Sequence, residues 1–430
     1  MGDENKMKKS LSIIIATALA MSTLIGCSSG GSKSSDDGKK GNKEKTVITM
    51  IQNKVEIQEQ LEEAAKEYNK SQNEVEVKIL GAAGDDLMKV LQSQFASTPE
   101  KAPTIFTAGS GSEFEKFFNY MIPLDSAKAS KKIVKGQADD AMKDGKLYGL
   151  PVAIEGFGLI YNKEIFKEAG VKAEDIKSID DLVKASEKLE KVKGVQHAIG
   201  FGKETYFKFM HPFNWPFAVM KDYKGTIEKV KSGALKLKDV PEVKQYAQDL
   251  DKLKSHTNLG KDTYDDQVAG FAQGKFAIIH QGNWAQTIID DYKVKFEYGM
   301  MPMPFNGNQG IAVGNTNYFR VNKHATKEQQ DASINFLDWL LTEKAGQTYV
   351  TEKFKLIPAY EGFNTEKMNP LAQEVSKYSQ EGKTVPWTFN LFPAGIDKDC
   401  SSQMEKYYAG QLTSAQLLDE INKIWVNASK

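Results

Sequence analysis

Three stretches of different character divide the chain. Leu11 to Ile25 is apolar almost without a break, and Met7-Lys8-Lys9-Ser10 before it supplies a short positive start. Residues 28–45, SSGGSKSSDDGKKGNKEK, then contain no apolar side chain at all. From Thr46 onward the pattern becomes periodic. Val47-Ile48-Thr49-Met50 predicts a short strand, and Ile57, Leu61, Ala64, Ala65 and Tyr68 recur at helical spacing. Val75, Val77 and Ile79 alternate with Glu76 and Lys78 as a half-buried strand requires. A helix over 87–95 and a strand over 104–107 follow. This strand–helix alternation predicts an α/β lobe with a largely parallel sheet.

The middle of the chain repeats the logic. Strands are predicted at 159–161, at 277–279 just before Gly282, and at 298–301, where Pro302 and Pro304 stop the run. Helices fit 178–191 and 267–273. The last third is mostly helical. Thr326-x-x-Gln329 and Thr413-x-x-Gln416 both fit capping boxes, and Leu417, Ile421, Ile424 and Ala428 form one predicted apolar stripe. No repeat of solenoid period is visible.

Composition narrows the function. The chain has 430 residues with 57 basic and 57 acidic side chains, and formal net charge zero. All the basic residues except Arg320 are lysines. Nucleic-acid sites favour the forked guanidinium, so a neutral chain with one arginine argues against a DNA or RNA partner. Two cysteines, Cys27 and Cys400, cannot build a disulfide scaffold. Cys400 reads as a small packed side chain.

The apolar stretch before Cys27 is about 15 residues, short of the roughly 20 that span a bilayer, and has the size of a signal-peptide core. It ends in Leu24-Ile25-Gly26-Cys27, which resembles the lipobox of bacterial lipoproteins. The resemblance implies a signal peptide over 1–26, lipidation of Cys27, and a flexible, lipid-anchored linker over 27–45. The Gly- and Ser-rich composition of that linker suits a tether that cannot bury surface. Durable anchoring takes more than one acyl chain, a rule the lipoproteins resemble.

Four further segments, in order, resemble the maltose-binding-protein-like group (family 1) of extracellular solute-binding proteins of carbohydrate ABC importers. They are Gly145-Lys146-Leu147-Tyr148-Gly149-Leu150-Pro151 with Glu155 and Leu159-Ile160-Tyr161-Asn162-Lys163; Phe271-Ala272-Gln273-Gly274-Lys275 with Gly282-Asn283-Trp284; Tyr298 through Pro304; and Phe336-Leu337 through Gly346-Gln347 with Ile357-Pro358-Ala359. The resemblance implies a two-lobed α/β fold of the periplasmic-binding-protein type (type II), its lobes joined by a hinge of crossing strands. The expected N-lobe is 46–154 with 312–359, and the expected C-lobe is 155–311 with 360–430. The implied function is capture of an oligosaccharide, with malto-oligosaccharide the first expectation. The chain would be a monomer at the extracytoplasmic face of the bacterial membrane and would deliver to membrane permease subunits.

A sugar offers hydroxyls at its rim and C–H bonds on its faces, so its site needs flat rings and hydrogen-bonding side chains. Trp284 follows a strand end and Gly282, and relatives carry a stacking Trp at the matching position. Glu155 lies in an expected crossover, matching a ligand-binding Glu of the relatives. Phe213 and Trp215 belong to Pro212-Phe213-Asn214-Trp215-Pro216, expected as a rigid aromatic loop. Trp387 and Phe392 flank Asn390 in a second aromatic stretch. Ser110 and Ser112 sit in Gly109-Ser110-Gly111-Ser112-Glu113, between a strand end and a helix, where open α/β sheets bind ligands. Asn53, Glu56 and Asp85 follow early strands.

Two other classes stand beside this reading. An enzyme would need catalytic residues, and HExxH, CxxC and P-loop motifs are all missing, while G-x-S-x-G occurs only at residues 26–30, at the end of the leader and not between a strand and a helix. The five histidines are scattered without metal-ligand spacing, so no metal and no cofactor is expected. The abundant carboxylates keep a glycosidase pair open. A binding protein for a non-sugar solute is the other alternative, because rings beside an acid also suit a cation.

Overall fold

The computed structural model describes residues 44–54, 57–81 and 87–429. The leader, the tether with Cys27, and the candidates Glu56 and Asp85 lie outside the described residues. The strands are, in chain order, β1 (Thr46–Ile51), β2 (Val75–Ile79), β3 (Ile105–Ala108), β4 (Met142–Lys143), β5 (Lys146–Leu147), β6 (Leu150–Pro151) and β7 (Ile154–Asn162). They continue with β8 (His197–Gly200), β9 (Phe276–Gly282), β10 (Tyr298–Met301), β11 (Ile311–Asn315), β12 (Tyr318–Val321) and β13 (Thr384–Val385).

The first sheet has the order β2-β1-β3-β12-β6. β1 lies parallel to β2 and β3, with Thr46 opposite Val75 and Met50 opposite Ile105, while β12 runs antiparallel to both β3 and β6. One face is covered by the helices Gln58–Ser71 and Lys327–Thr342, whose apolar stripes meet at Tyr68 and Phe336, ring centroids 5.2 Å apart. The predicted stripe Leu61, Ala64, Ala65 and Tyr68 is the buried one. The helix Leu87–Ser97 buries Leu91 and Phe95 in a separate core that holds Phe106 and Phe117.

The second sheet has the order β13-β11-β7-β9-β8, with β10 also on β7. Here the expected parallel arrangement gives way to mostly antiparallel pairing. β7 is nine residues long, far beyond the predicted 159–161, and one of its edges serves two partners in succession. β11 pairs its first half, with Ala312 opposite Phe157, and β10 pairs its second half, with Met301 opposite Leu159. Gly158 sits at the changeover. A Cβ there would lie 2.6 Å from the Met301 carbonyl oxygen, so only glycine lets the two partners meet.

Three stretches carry the chain between the sheets. The first runs through Val152-Ala153 between β6 and β7, and the second through Thr316-Asn317 between β11 and β12. The third follows Tyr360, whose hydroxyl donates to the Pro151 carbonyl at 2.7 Å, and precedes the helix Pro370–Gln380 that packs on β7, β10 and β11. The second crossing therefore falls a few residues later than the expected 311/312, because β11 pairs with β7 along Ala312 to Asn315.

Both predicted capping boxes form, at Thr326/Gln329 and Thr413/Gln416. Each satisfies two helix N-terminal amides, and such a cap contributes on the order of 1 kcal/mol. The last helix, Ser414–Ala428, buries Leu417, Leu418, Ile421 and Trp425, while Ala428 is exposed. Trp425 takes the inward position because its ring fills space against Phe392 and Phe217, centroids 4.6 and 5.7 Å away. Cys400 is wholly buried, and burial pushes its thiol up, so it is a packed side chain. No described helix is long and apolar enough to cross a membrane.

Candidate functional site

A cleft of about 1710 Å³ opens between the two lobes. Asn53, Gly109-Ser110-Gly111, Glu113 and Phe114 line it from the first lobe. Glu204 to Phe207, His211, Trp284, Trp387 and Phe389 to Phe392 line it from the second. Glu155 and Asn315-Thr316-Asn317, at the crossings, also line it.

Trp284 is held by its neighbours on two sides. It follows β9 directly, and its ring lies across Gly282, where a Cβ would come within 2.4 Å of it. Its Nε1 donates to Gln281 Oε1 at 2.7 Å. Gln281 Nε2 donates to Gln267 Oε1 at 2.8 Å, and Gln267 Nε2 to the Gly200 carbonyl at 2.7 Å. This amide chain satisfies the indole N–H inside the protein and fixes the ring, leaving its face as an apolar surface in the cleft.

Around Trp284 the second lobe builds an aromatic wall. His211 lies 5.4 Å from Trp284 and 5.2 Å from Phe389, and Trp387 lies 5.3 Å from Phe389. Phe157, wholly buried on β7, backs the wall and stacks on His211 at 4.3 Å. Trp387 packs on Gly314, where a Cβ would fall 2.5 Å from the indole. Tyr206 is 49% exposed, so it presents its ring to solvent at the cleft. Burial and then the carboxylates of Asp397 and Glu113 raise its phenol above the usual value.

Polar atoms punctuate this wall. Asn315 Oδ1, Thr316 Oγ1, Glu204 Oε2, His211 Nδ1 and Trp387 Nε1 are buried without a hydrogen-bond partner among the described residues, and all five residues line the cleft. Buried polar atoms are nearly always paired, so five such atoms on residues that line one cleft leave hydrogen-bonding capacity unused at its wall. His211 is held neutral, well below its ordinary value, by burial and by the nearby His280. A neutral imidazole both donates and accepts, as a sugar hydroxyl does.

Glu155 lines the cleft but is not free. Its Oε1 lies 3.2 Å from Lys54 Nζ. Asn53, next to Lys54, accepts through Oδ1 from Asn317 Nδ2 at 3.1 Å. Ser110 lines the cleft, and Ser112 opens the helix Ser112–Phe117 just behind it.

Two candidates are elsewhere. Phe213 and Trp215 have no exposed area and do not line the cleft. Their segment is not a loop but the helix His211–Ala218, every residue of it buried. The preceding turn, Tyr206–Met210, is π-helical, a feature frequent at functional sites. The helix carries His211 at the cleft, and one turn later Trp215 is inside the core, where its Nε1 donates to His280 Nε2 at 2.9 Å. Phe213 packs on Phe209 at 4.9 Å. Phe392 reaches the cleft only by an edge: it is 7% exposed and packs chiefly on Trp425.

The aromatic segment 212–216 is legible in the sequence, but its inward register is not, and Tyr206 and His211 before it carry no signal of their own. Phe389 and Glu204 carried no signal beyond neighbouring candidates. Among the described residues no group of three or more His, Cys, Asp or Glu side chains is disposed to hold a metal.

Comparison with known proteins agrees with this fold. The apo form of RafE from Streptococcus pneumoniae superposes with a TM-score of 0.75 at 18% identity, covering 91% of this chain and 100% of that one. The fold is thus that of two-lobed periplasmic binding proteins. An uncharacterized ABC transporter extracellular-binding protein of Pyrococcus horikoshii is 28% identical over 260 residues, 56% of this chain and 56% of that protein. The chain's match thus spans little more than half the length of that relative. A maltooligosaccharide ABC transporter solute-binding lipoprotein of Streptococcus pneumoniae is 25% identical over 363 residues, 83% of this chain and 81% of the relative. The family profile described as bacterial extracellular solute-binding protein matches residues 63–378, most of the chain. The chain belongs to the bacterial extracellular solute-binding proteins.

Proposed function

We propose that this protein is the capture component of a carbohydrate ABC importer, binding an oligosaccharide between its lobes and presenting it to membrane permease subunits. The observation that carries the reading is the pairing, in one interlobe cleft, of an aromatic wall with five polar atoms that have no partner among the described residues. Rings match the C–H faces of a sugar and the polar atoms match its hydroxyls. At about 1710 Å³ the cleft exceeds the size of an ordinary small-ligand pocket, which runs to about 1,000 Å³, and so favours several sugar units over one. A malto-oligosaccharide is the first candidate, supported by the name of the pneumococcal relative. The protein acts as a monomer, as a receptor rather than an enzyme, held at the extracytoplasmic face of the membrane through a lipid on Cys27.

Calorimetry against malto-oligosaccharides, raffinose-type and β-linked oligosaccharides tests the reading. One class binds at a stoichiometry of one and returns unchanged. Turnover of the sugar, or no binding by any of them, refutes it. A second reading, a cationic solute, is favoured by the exposed Tyr206 ring lining the same cleft as the carboxylates Glu113 and Asp397. Amines, but not sugars, would then raise the melting temperature, and added salt would abolish the effect.

A further inference from the structure

The chain's one arginine is not a surface residue. Arg320 lies on β12 with no exposed area. Among the described residues no carboxylate is within ion-pair distance of it. Its guanidinium turns instead to backbone oxygens: Nε donates to Ala108 at 3.2 Å, Nη2 to Gly109 at 2.7 Å, and Nη1 to Tyr148 at 3.0 Å. The rings of Phe114 and Tyr318 lie 4.8 and 5.1 Å from Cζ. Burial lowers its pKa to about 10, which still leaves the group charged at neutral pH. A buried charge is costly unless hydrogen-bonded, so these carbonyl contacts are what the site must keep.

The three oxygens belong to two segments with consequences for the cleft. Ala108 and Gly109 begin the loop that forms the first-lobe wall. Tyr148 precedes β6 and the crossing to Glu155, and Arg320's own strand follows the crossing at Thr316-Asn317. Glu113 grips the loop from the other side, its Oε2 accepting from the Gly109 amide at 2.7 Å. Beyond it Gly111, at φ 60°, faces the opposite lobe, and a Cβ there would lie 3.1 Å from the Asn390 carbonyl oxygen. Next to Tyr148, a Cβ at Gly149 would come within 2.9 Å of Arg320 Nη1, so that glycine makes room for the guanidinium. A lysine ammonium, a point charge on one stem, cannot replace a planar fork that reaches three diverging oxygens.

We propose that Arg320 is a positioning residue, fixing the Gly109–Gly111 loop relative to two of the three crossings so that the first-lobe wall is set before ligand arrives. Its effect on affinity is preorganisation, since it has no place in the cleft lining.

Two measurements on the full chain need no ligand. With isotope-labelled arginine, the lone guanidinium gives one set of magnetic-resonance signals. Distinct, slowly exchanging Nη protons are expected, and a single averaged Nη signal from a freely turning group overturns the proposal. In Arg320→Lys, hydrogen exchange over residues 108–112 is expected to speed up by about tenfold or more while β7 and β9 stay protected. Wild-type exchange over 108–112 in the folded variant also overturns it. If the variant does not fold, the guanidinium signals of the unaltered chain decide. A third arm, which alone rests on the sugar reading, titrates maltotetraose. Arg320→Lys is expected to bind it about tenfold more weakly, and Leu340→Ala, a core change in the same lobe, to bind it as wild type does. Equal affinity in Arg320→Lys and wild type counts against the proposal. No binding to wild type counts against maltotetraose and leaves the first two arms to decide.

Discussion

Lys54 and Glu155 join the two lobes directly, with Nζ 3.2 Å from Oε1 and both side chains largely out of solvent. One residue follows β1 in the first sheet, and the other lies second in β7 of the second sheet. The carboxylate that the resemblance assigned to ligand is therefore already engaged across the base of the cleft.

Glu155→Gln keeps one acceptor oxygen, whereas Glu155→Ala removes both and breaks the ion pair with Lys54. Affinity for the best oligosaccharide is expected to fall in both variants, and more in the alanine one. Stability is expected to fall by about 1–3 kcal/mol in Glu155→Ala. Calorimetry and urea unfolding check the two effects. Wild-type affinity in both variants with lowered stability makes Glu155 purely a link between the lobes.

Trp284→Ala is expected to weaken oligosaccharide binding about tenfold or more with the fold intact, since burying a ring is worth about 1–3 kcal/mol and about 1.4 kcal/mol is tenfold. Gln281→Leu, which frees the indole N–H without touching the ring, is expected to weaken it less. Calorimetry on both variants separates the ring from its support.

Trp215→Phe is expected to do the reverse. It deletes the N–H that pairs with His280 Nε2 and leaves a small void in a wholly buried site. The expected cost is about 2–3 kcal/mol in unfolding free energy, with affinity within about twofold of wild type. Unfolding and binding curves on one sample check this, and a large loss of affinity without loss of stability would return Trp215 to the site.

Acid is expected to destabilise the protein through its two buried histidines. Burial keeps His211 neutral well below its ordinary value of 6.5 and lowers His280 to about 3. In the unfolded chain both take up a proton near 6.5, so below that pH unfolding binds protons and stability falls as pH drops. The slope is at most about 1.4 kcal/mol per pH unit for each imidazole. For His280 the window runs from about 6.5 down to about 3. Melting temperatures between neutral and mildly acidic pH are expected to fall less steeply in His280→Gln than in wild type, and equal slopes would contradict the assignment.

Cys27→Ser is expected to release the protein from the membrane fraction while leaving affinity unchanged, because the tether 28–45 has no apolar side chain to pack on the lobes. Fractionation followed by calorimetry checks both parts, and retention of the variant in membranes would contradict lipidation at Cys27.

Periodicity alone determined much of this protein. Leu61, Ala64, Ala65 and Tyr68 show a helix because a helix repeats its inward face every three to four residues, and both capping boxes are local reactions between a hydroxyl and amides three residues on. The loop after β3 and the ring after Gly282 are also local: each follows the end of a strand, and each lines the cleft. What only the tertiary structure decided depends on partners distant in sequence. β7 is wholly buried over most of its length because β9, β10 and β11 pair with it, so its extent was invisible in its own residues. Trp215 looks like Trp284 as a residue, yet one faces the cleft and the other bonds His280 in the core. The difference lies in the direction of the helix His211–Ala218 and in which sheet it packs against. Glu155 reads as an isolated acid until Lys54, 101 residues away in sequence, is brought to it by the crossing of two lobes.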